Sequence, residues 1–236
     1  MLTIHTLTFN EEIILPYFIK HYKKNFPDCL INIYDNESTD NTVKIAKEHN
    51  CEVITYKTNN ELSDEKYLDI KNNVWKTSTT DWNLICDVDE FCIINHQNLC
   101  DEDKNNISII KFRTFDMVNT SKEPNSLEID SLNFGVRNSL YDKDMLFNKK
   151  YIKEINYEAG CHFNNASGII KYATNEYIMR HYKYIGENFI VNRYKNFLGR
   201  LSQKNLNEKW GSQYLMTEEE IRKLYKNNQN KSTKII

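Results

Sequence analysis

The chain has 236 residues, of which 40% are hydrophobic, and this is enough to bury the core of one large domain. Its formal net charge is −2, and this near balance argues against a protein that binds nucleic acid through bulk positive charge. No stretch reaches the roughly 18 apolar residues of a membrane span, and residues 1–9 lack the pattern of a secretory signal.

None of the six cysteines lies in a C-x-x-C pair, and Cys86 sits inside an apolar run where a reduced, buried thiol is expected. This cysteine usage favours a reducing compartment. We therefore predict a cytoplasmic protein, with attachment to a membrane surface through a partner or its own tail as the alternative.

Short apolar runs alternate with helical patterns through the first 86 residues. This alternation predicts an α/β fold with a mostly parallel sheet and helices on its faces, in which ligands bind beyond the carboxyl ends of the strands. Thr39 or Asp40 is suited to cap the second helix. We predict strands at 2–9, 29–34, 52–56 and 82–86, and helices at 11–24, 40–48 and 61–78.

The second half of the chain has a different pattern. Residues 107–115 predict a strand, residues 116–130 predict a polar loop that contains Pro124, and residues 140–184 predict short β segments. Two C-terminal helices are predicted at 187–204 and 217–225, followed by a frayed end from Asn227. The inward-facing residues predicted for the first of these helices are Phe189, Ile190, Phe197, Leu198 and Leu201.

The second C-terminal helix carries a local start signal. Thr217 precedes it and Glu220 follows three residues later, which is the pattern of a capping box.

The strongest local signal for function is Asp87-Val88-Asp89, which directly follows the apolar strand predicted at 82–86. In an extended chain the side-chain period is two, so both carboxylates are predicted to point the same way. Two convergent carboxylates attract a hard divalent cation, and such a cation can neutralise a leaving diphosphate. The alternative is an acidic turn without chemistry, because an isolated D-x-D is a weak motif.

A second polar run, D-N-E-S-T-D-N-T at 35–42, links a predicted strand to a predicted helix. Asp40 is expected to cap that helix. Asp35 is not needed as a cap and lies at the strand end, where a carboxylate could hold a base or a ribose.

Three runs together resemble the family 2-like glycosyltransferases. They are T-L-T-F-N-E-E at 6–12, D-N-E-S-T-D-N-T at 35–42 and D-V-D-E-F at 87–91, and their order and spacing match that family over roughly the first hundred residues. Asn36 and Glu37 depart from the D-D-G-S loop that is common in the family, so the base preference stays open.

The resemblance implies a GT-A fold and a donor that is a nucleotide-diphosphate sugar of the UDP or GDP type. It divides the chain into a nucleotide-sugar-binding half at 1–100, an acceptor-binding and metal-completing half at 101–205, and a helical tail at 206–236. The roles it implies are donor binding by Asn10, Glu11, Asp35, Lys71 and Asn72, a ribose or metal contact by Asp87, and direct metal binding by Asp89.

Two downstream histidines also fit the resemblance. GT-A enzymes commonly complete the metal shell with a histidine from the C-terminal half, and the segment that starts at His181 resembles such a stretch. We therefore expect His181 to be the third metal ligand, and His162 to contact the metal or the acceptor. Imidazole suits manganese better than magnesium, so Mn²⁺ is the predicted cofactor. A structural histidine is the alternative for each.

A leaving diphosphate also needs cations nearby. The candidates are Lys71, Lys149, Lys150, Lys183 and Arg193.

An inverting transferase needs a carboxylate base to take the proton of the acceptor hydroxyl. Asp116 and Glu158 are the candidates. Glu90 is disfavoured because, in an extended chain, it points to the opposite face from Asp87 and Asp89.

The predicted function is metal-dependent, inverting transfer of a sugar to a glycan or glycoconjugate acceptor. Two alternatives stay open: a haloacid-dehalogenase-like phosphohydrolase with Asp87 as the nucleophile, and a non-catalytic nucleotide-sugar-binding protein. Against the first, that motif normally opens its fold, whereas here it follows three strand–helix units. No nucleic-acid partner is expected, and a second copy of the chain is a candidate partner through the aromatic-rich C-terminal helix.

Overall fold

The computed structural model describes residues 1–120 and 129–235. Through residue 104 the elements are β1 (Leu2–Thr8), α1 (Leu15–Asn25), β2 (Leu30–Asp35), α2 (Thr42–Glu48), β3 (Glu52–Thr55), α3 (Asp64–Asn73), β4 (Trp82–Ile85), β5 (Glu90–Ile93) and α4 (His96–Lys104). Beyond it they are β6 (Ile109–Val118), β7 (Phe134–Arg137), β8 (Lys143–Asn148), β9 (Ile152–Glu154), β10 (Ser167–Gly168), β11 (Tyr177–Tyr184), α5 (Glu187–Leu198), α6 (Gln203–Glu208), α7 (Glu218–Lys231) and β12 (Thr233–Lys234).

The predicted α/β fold is confirmed. Strands β3, β2, β1 and β4 lie side by side and are all parallel. Every residue of β1 and β4 is buried, as expected for parallel strands that are covered on both faces. The carboxyl ends of these strands therefore meet at one edge of the sheet.

The same sheet continues into the second half of the chain with mixed strand directions. β8 pairs with β4 and β6 in antiparallel fashion, and β11 is parallel to β6 and antiparallel to β5. β6 and β11 consequently run in the same direction as β4. Residues near their carboxyl ends lie at the same edge as those that follow β1 and β4.

Two helices of the first half, α1 and α3, differ from their predicted bounds by more than two residues. α1 begins at Leu15 rather than residue 11, because Asn10 has a positive φ of 54° and Pro16 occupies the first turn of the helix. The helix predicted at 61–78 ends at Asn73, and a short 3-10 segment, Val74–Thr77, follows it.

The N-cap of α2 lies one residue after the predicted Asp40. The N-cap residue is Asn41, which makes no side-chain cap bond, but Asp40 Oδ1 accepts a hydrogen bond from the backbone N–H of Thr42 at 2.9 Å.

The prediction that residues 116–130 form a loop is wrong at its beginning. Asp116 belongs to β6, which runs to Val118 because its pairing with β11 continues to that residue. The 3-10 segment Ile129–Ser131 ends the predicted loop. The part of the loop that contains Pro124 falls in residues 121–128, outside the described residues.

The C-terminal region is more ordered than predicted. α5 ends at Leu198, whose side chain is exposed rather than inward, and its buried residues are Ile190, Val191 and Tyr194. α7 begins at the predicted capping box and continues to Lys231, so the end is not frayed from Asn227. β12 then pairs with β7 in the sheet. Among the described helices, none combines the length and the apolar character that a membrane span requires.

Candidate active site

A cavity of about 300 Å³ lies beyond the carboxyl ends of β1, β4 and β11. Its wall is built from both halves of the chain: Glu11 follows β1, Asp87 and Asp89 follow β4, His181 lies on β11 and Arg193 lies on α5. This position agrees with the general rule that α/β sheets bind ligands at the carboxyl ends of their strands.

The Asp87-Val88-Asp89 tripeptide forms a tight turn rather than an extended chain. The N–H of Glu90 donates to the carbonyl of Asp87 at 3.0 Å, and Glu90 Oε2 accepts from the N–H of Asp87 at 2.9 Å. Val88 is buried in the core and anchors the turn. The prediction that residues 87–89 are extended is therefore wrong, although both carboxylates line the same cavity.

Asp87 is held between two ammonium groups. Lys71 Nζ lies 2.6 Å from its Oδ1, and Lys143 Nζ lies 3.2 Å from its Oδ2. Burial raises the pKa of Asp87, but the two lysines outweigh burial and hold that pKa well below its usual range. Asp87 is thus a carboxylate whose two oxygens both already have cationic partners.

Glu90 shares one of these lysines. Its Oε1 accepts from Lys143 Nζ at 2.5 Å, so Glu90 and Asp87 face the same ammonium group. The expectation that Glu90 lies on the opposite face is wrong, because the turn at Val88 and Asp89 rotates the chain between the two side chains. Burial raises the pKa of Glu90 although Lys143 opposes the rise.

Asp89 faces a different set of cations. Its Oδ2 lies 3.3 Å from Arg193 Nη2 and 3.5 Å from His181 Nε2. Burial raises the pKa of Asp89, but Arg193 and then His181 hold it far below its usual range.

The guanidinium of Arg193 also pairs with both oxygens of Glu11, at 2.8 and 3.1 Å. Burial is the main reason that the pKa of Glu11 rises to about 8, and Arg193 opposes that rise.

Asp116 holds His181 in place. Its Oδ1 lies 2.7 Å from His181 Nδ1, and its Oδ2 accepts from Asn138 Nδ2 at 2.8 Å. Burial lowers the pKa of His181, but Asp89 and Asp116 raise it to about 10 overall. The two carboxylates therefore favour the protonated imidazole, whose Nε2 lies 3.5 Å from Asp89 Oδ2. Asp116 orients His181, as carboxylates commonly do behind metal-binding histidines.

The Asp89–His181 pair fits a divalent cation. Two ligand atoms that each lie about 2 Å from one ion in adjacent positions are roughly 3 Å apart, close to the 3.5 Å between Asp89 Oδ2 and His181 Nε2. Within residues 1–120 and 129–235, no three His, Cys, Asp or Glu side chains form a preassembled metal cluster. The described structure thus offers two convergent groups that could hold a metal, and both oxygens of Asp87 are bonded to lysines.

Several predicted donor-binding residues make structural contacts. Asn10 Oδ1 accepts from the N–H of Thr39 at 2.8 Å, and Asp35 Oδ2 accepts from the N–H of Ser38 at 3.0 Å. The first bond ties the loop after β1 to the loop after β2, and the second lies within the loop after β2. Asn72 binds the backbone of Tyr157 in both directions, with Oδ1 accepting at 2.7 Å and Nδ2 donating at 3.2 Å.

The remaining predicted residues differ in their placement. His162 lines the cavity, with its ring 4.5 Å from that of Tyr141, and burial followed by Lys143 lowers its pKa to about 3. Glu158 is exposed and precedes the 3-10 turn that leads to His162. Lys149 donates to the carbonyl of Ser78, and Lys150 lies over the ring of Tyr151. Neither lysine lines the cavity.

Sequence reasoning missed Lys143, Tyr141 and Tyr194, all of which line the cavity. Lys143 is the first residue of the strand K-D-M-L-F-N. A lysine directly before an apolar run of this kind indicates a charge that is partly buried with the strand. Its partners could not be read from the sequence, because they depend on the pairing of β8 with β4 and β6. The two tyrosines look like ordinary core residues in the sequence.

Comparison with known proteins gives one family match. The model described as glycosyl transferase family 2 matches residues 3–178. A search of curated proteins returned no match.

The chain is also similar to several solved structures. S. aureus TarS is 14% identical with a TM-score of 0.46, over 86% of this chain and 44% of that one. TarS 1-349 in complex with UDP-GlcNAc is 14% identical with a TM-score of 0.45, over 91% and 71%. Mannosyltransferase PcManGT from Pyrobaculum calidifontis, in complex with GDP-Man and Mn²⁺, is 12% identical with a TM-score of 0.37, over 53% and 36%. The chain thus covers less than half the length of the first of these proteins.

Proposed function

We propose that this chain, which belongs to glycosyl transferase family 2, moves a sugar from a nucleotide-diphosphate sugar to an acceptor hydroxyl with the help of a divalent metal. The proposed donor is of the UDP or GDP type, the metal is manganese in preference to magnesium, and the anomeric carbon is inverted. The acceptor is a glycan or a glycoconjugate.

The observation that carries the proposal is the meeting of Asp89, His181 and Arg193 on one wall of the cavity. Two metal-binding groups face each other there, and a guanidinium lies 3.3 Å from the same carboxylate. A divalent cation bound at this point would supply Lewis-acid neutralisation of the donor diphosphate. Asp89 and His181 would hold that cation, and Asp116 keeps His181 in the required orientation.

The protein's own cations would stabilise the leaving group. Arg193, Lys71 and Lys143 line the cavity, and each is bonded to carboxylates that a bound diphosphate could partly replace. A nucleoside diphosphate gains negative charge on leaving, so fixed positive groups stabilise the transition state more than the ground state. Asp116 and Glu158 remain the predicted bases, although the His181 contact of Asp116 supports a positioning role.

The contacts of Asp87 bear on the phosphohydrolase alternative, and turnover bears on the binding-protein alternative. A phosphohydrolase with Asp87 as nucleophile would need one oxygen of that carboxylate free for attack, and both oxygens of Asp87 are bonded to lysines. We therefore favour the transferase. A non-catalytic protein would bind the same nucleotide sugar as the transferase without consuming it, so the test includes a turnover measurement.

The proposal is tested by screening UDP- and GDP-sugars for thermal stabilisation and for turnover, each with and without manganese. A donor that binds the folded protein raises Tm by mass action. We expect one donor class to do so only with manganese, and to be consumed with release of the nucleoside diphosphate when an acceptor mixture is supplied.

Asp89→Ala is the diagnostic variant, and Asp101→Ala on the exposed face of α4 is its matched control. Without Asp89, Arg193 keeps Glu11 and His181 keeps Asp116, so the fold should persist. We expect Asp89→Ala to lose the manganese-dependent stabilisation and at least about 100-fold of turnover. Full activity in Asp89→Ala would remove the metal role from this residue, and stabilisation without turnover in the wild type would favour the binding protein.

A further inference from the structure

Four lysine and arginine side chains line the cavity in the described structure, and three of them form ion pairs with carboxylates. Lys183 lines the cavity, yet no Asp or Glu in residues 1–120 or 129–235 forms an ion pair with it. Its contacts are a 3.5 Å hydrogen bond to the hydroxyl of Tyr141 and positions over the rings of Tyr141 and Tyr184, at 4.9 and 5.6 Å. The paired cations of the cavity are Lys71 with Asp87, Lys143 with Glu90, and Arg193 with Glu11.

A buried hydroxyl lies beside this lysine. Tyr194 also lines the cavity and is only 3% exposed. Burial raises the pKa of Tyr194, and Lys183 opposes the rise through its charge and as a hydrogen-bonding neighbour of the hydroxyl. An ammonium that has hydroxyl neighbours but no carboxylate can gain a charge-assisted hydrogen bond from a bound anion.

In the described structure neither of these two groups is bonded to Asp89 or His181. The ring of Tyr141 stacks on that of His181 at 5.5 Å and also contacts Lys183. Asp89 is paired with Arg193 and His181 and makes no ion pair with Lys183. The charge of Lys183 is therefore available to a group other than the metal-bound diphosphate.

We infer that Lys183 and Tyr194 form a subsite for an anionic group, a phosphate or a carboxylate, carried by the acceptor. The inference rests on the proposed function, because it takes the Asp89–His181 side of the cavity as the donor side. An ammonium and a hydroxyl together offer the charge-assisted and neutral hydrogen bonds that such an oxyanion accepts. The acceptor class is then an anionic sugar, polyol or phosphate-bearing glycoconjugate, in preference to a neutral glycan.

The test compares three small acceptor mimics that differ only in the anionic group: glycerol 3-phosphate, glycerate and glycerol. Their binding is measured by ligand-observed NMR on the full chain in EDTA, so that no metal can hold the anion. The variants are Lys183→Met and Tyr194→Phe, and Lys226→Met, an exposed lysine of α7, is the matched control. UDP and GDP binding with manganese is measured on the same four proteins.

We expect one or both anionic mimics to bind the wild type and the Lys226→Met control, and glycerol not to bind. Lys183→Met should raise the Kd of the anionic mimic about tenfold or more, and Tyr194→Phe should raise it severalfold. The ratio of phosphate to glycerate affinity identifies which anion the subsite prefers.

Three outcomes would overturn the subsite. They are equal binding of glycerol and its anionic analogues, equal affinity of wild type and Lys183→Met for the anion, and a tenfold loss of nucleoside diphosphate affinity in Lys183→Met. The last would place Lys183 in the donor site. If neither UDP nor GDP binds the wild type, the proposed function fails, and the EDTA measurement still decides whether Lys183 binds an anion.

Discussion

At the scale of single residues, Asp87 and Asp89 belong to one motif but have different surroundings. Asp87 lies between Lys71 and Lys143, whereas Asp89 faces Arg193 and His181. The spacing in the sequence predicts two convergent carboxylates, and the family resemblance gives direct metal binding to Asp89 and a ribose or metal contact to Asp87. The turn between them gives each carboxylate its own set of cations, so Asp89 is the better-placed candidate for the proposed metal site.

His181 provides the first residue-scale prediction, because its pKa is raised to about 10 by Asp89 and Asp116 against the effect of burial. Manganese binding at Nε2 must displace a proton. Manganese affinity should therefore rise with pH up to about 10, by up to roughly tenfold per unit, with release of about one proton at pH 7.5. Calorimetric titration in two buffers of different ionisation enthalpy counts that proton.

Asp116→Asn is the matching variant, since it removes one of the two carboxylates that raise the pKa of His181. It should release fewer protons at pH 7.5 while the protein remains folded. Affinity that does not change with pH in the wild type, with no proton released, would contradict the assignment of His181 as a ligand.

The same pKa has a consequence for stability. The folded-state pKa of His181 lies above its ordinary value of 6.5, so the protonated form stabilises the fold. This contribution is fully present below about pH 6.5 and is lost as the pH rises toward 10.

At the scale of elements, the C-terminal helix α7 shows how a local signal can be read correctly. The side chain of Thr217 accepts from the N–H of Glu220, and the side chain of Glu220 accepts from the N–H of Thr217. The buried face of the helix, Ile221 and Tyr225, then packs with α5 in one hydrophobic cluster. Capping and burial together fix where α7 begins.

Thr217→Ala should lower the free energy of unfolding by about 1 kcal/mol, because the Thr217 hydroxyl no longer accepts from the N–H of Glu220 or donates to the Glu220 carboxylate. Urea unfolding followed by circular dichroism measures the change. Thr79→Ala, at an exposed threonine outside any helix or strand, is the matched control and should stay within about 0.5 kcal/mol of wild type. Equal stability of the two variants would mean that the cap contributes nothing.

Strand β8 shows where element-level reasoning from sequence ends. The pairing of Leu84 with Leu146, extended by three residues along both strands, brings Lys143 opposite Asp87. The two residues are 56 positions apart in the chain. Only the antiparallel register, which nothing local specifies, makes them partners.

At the scale of the whole molecule, the two halves of the chain are joined through one continuous sheet and through side-chain bonds across the cavity. Asn72 on α3 makes two such bonds, because its side-chain amide binds both the N–H and the carbonyl of Tyr157. The segment held in this way leads to Cys161 and His162 on the cavity wall. The Asn72 side chain therefore connects α3, in the first half of the chain, to the segment that follows β9, in the second half.

Asn72→Ala should lower the free energy of unfolding by about 2 kcal/mol, because it leaves the backbone groups of Tyr157 without partners. Asn73→Ala is the control, since Asn73 is exposed and bonds mainly to Asp69 in its own helix. Denaturant unfolding compares the two variants. A loss of nucleotide affinity without any loss of stability would instead support the donor-binding role predicted for Asn72.

The sequence by itself determined the parallel first half of the sheet, the placement of Asp87 and Asp89 just after β4, and the start of α7. Each of these depends on local periodicity, on a cap or on a strand end, which neighbouring residues specify. His181 could be singled out only by resemblance to a family.

The tertiary structure alone decided which charges meet. The turn at Val88 and Asp89 separated the two carboxylates, the register of β8 placed Lys143 beside Asp87, and the packing of α5 brought Arg193 to Asp89 and Glu11. Charge partners over such distances in the chain follow from the path of the backbone, and a buried charge needs a partner wherever the fold places it.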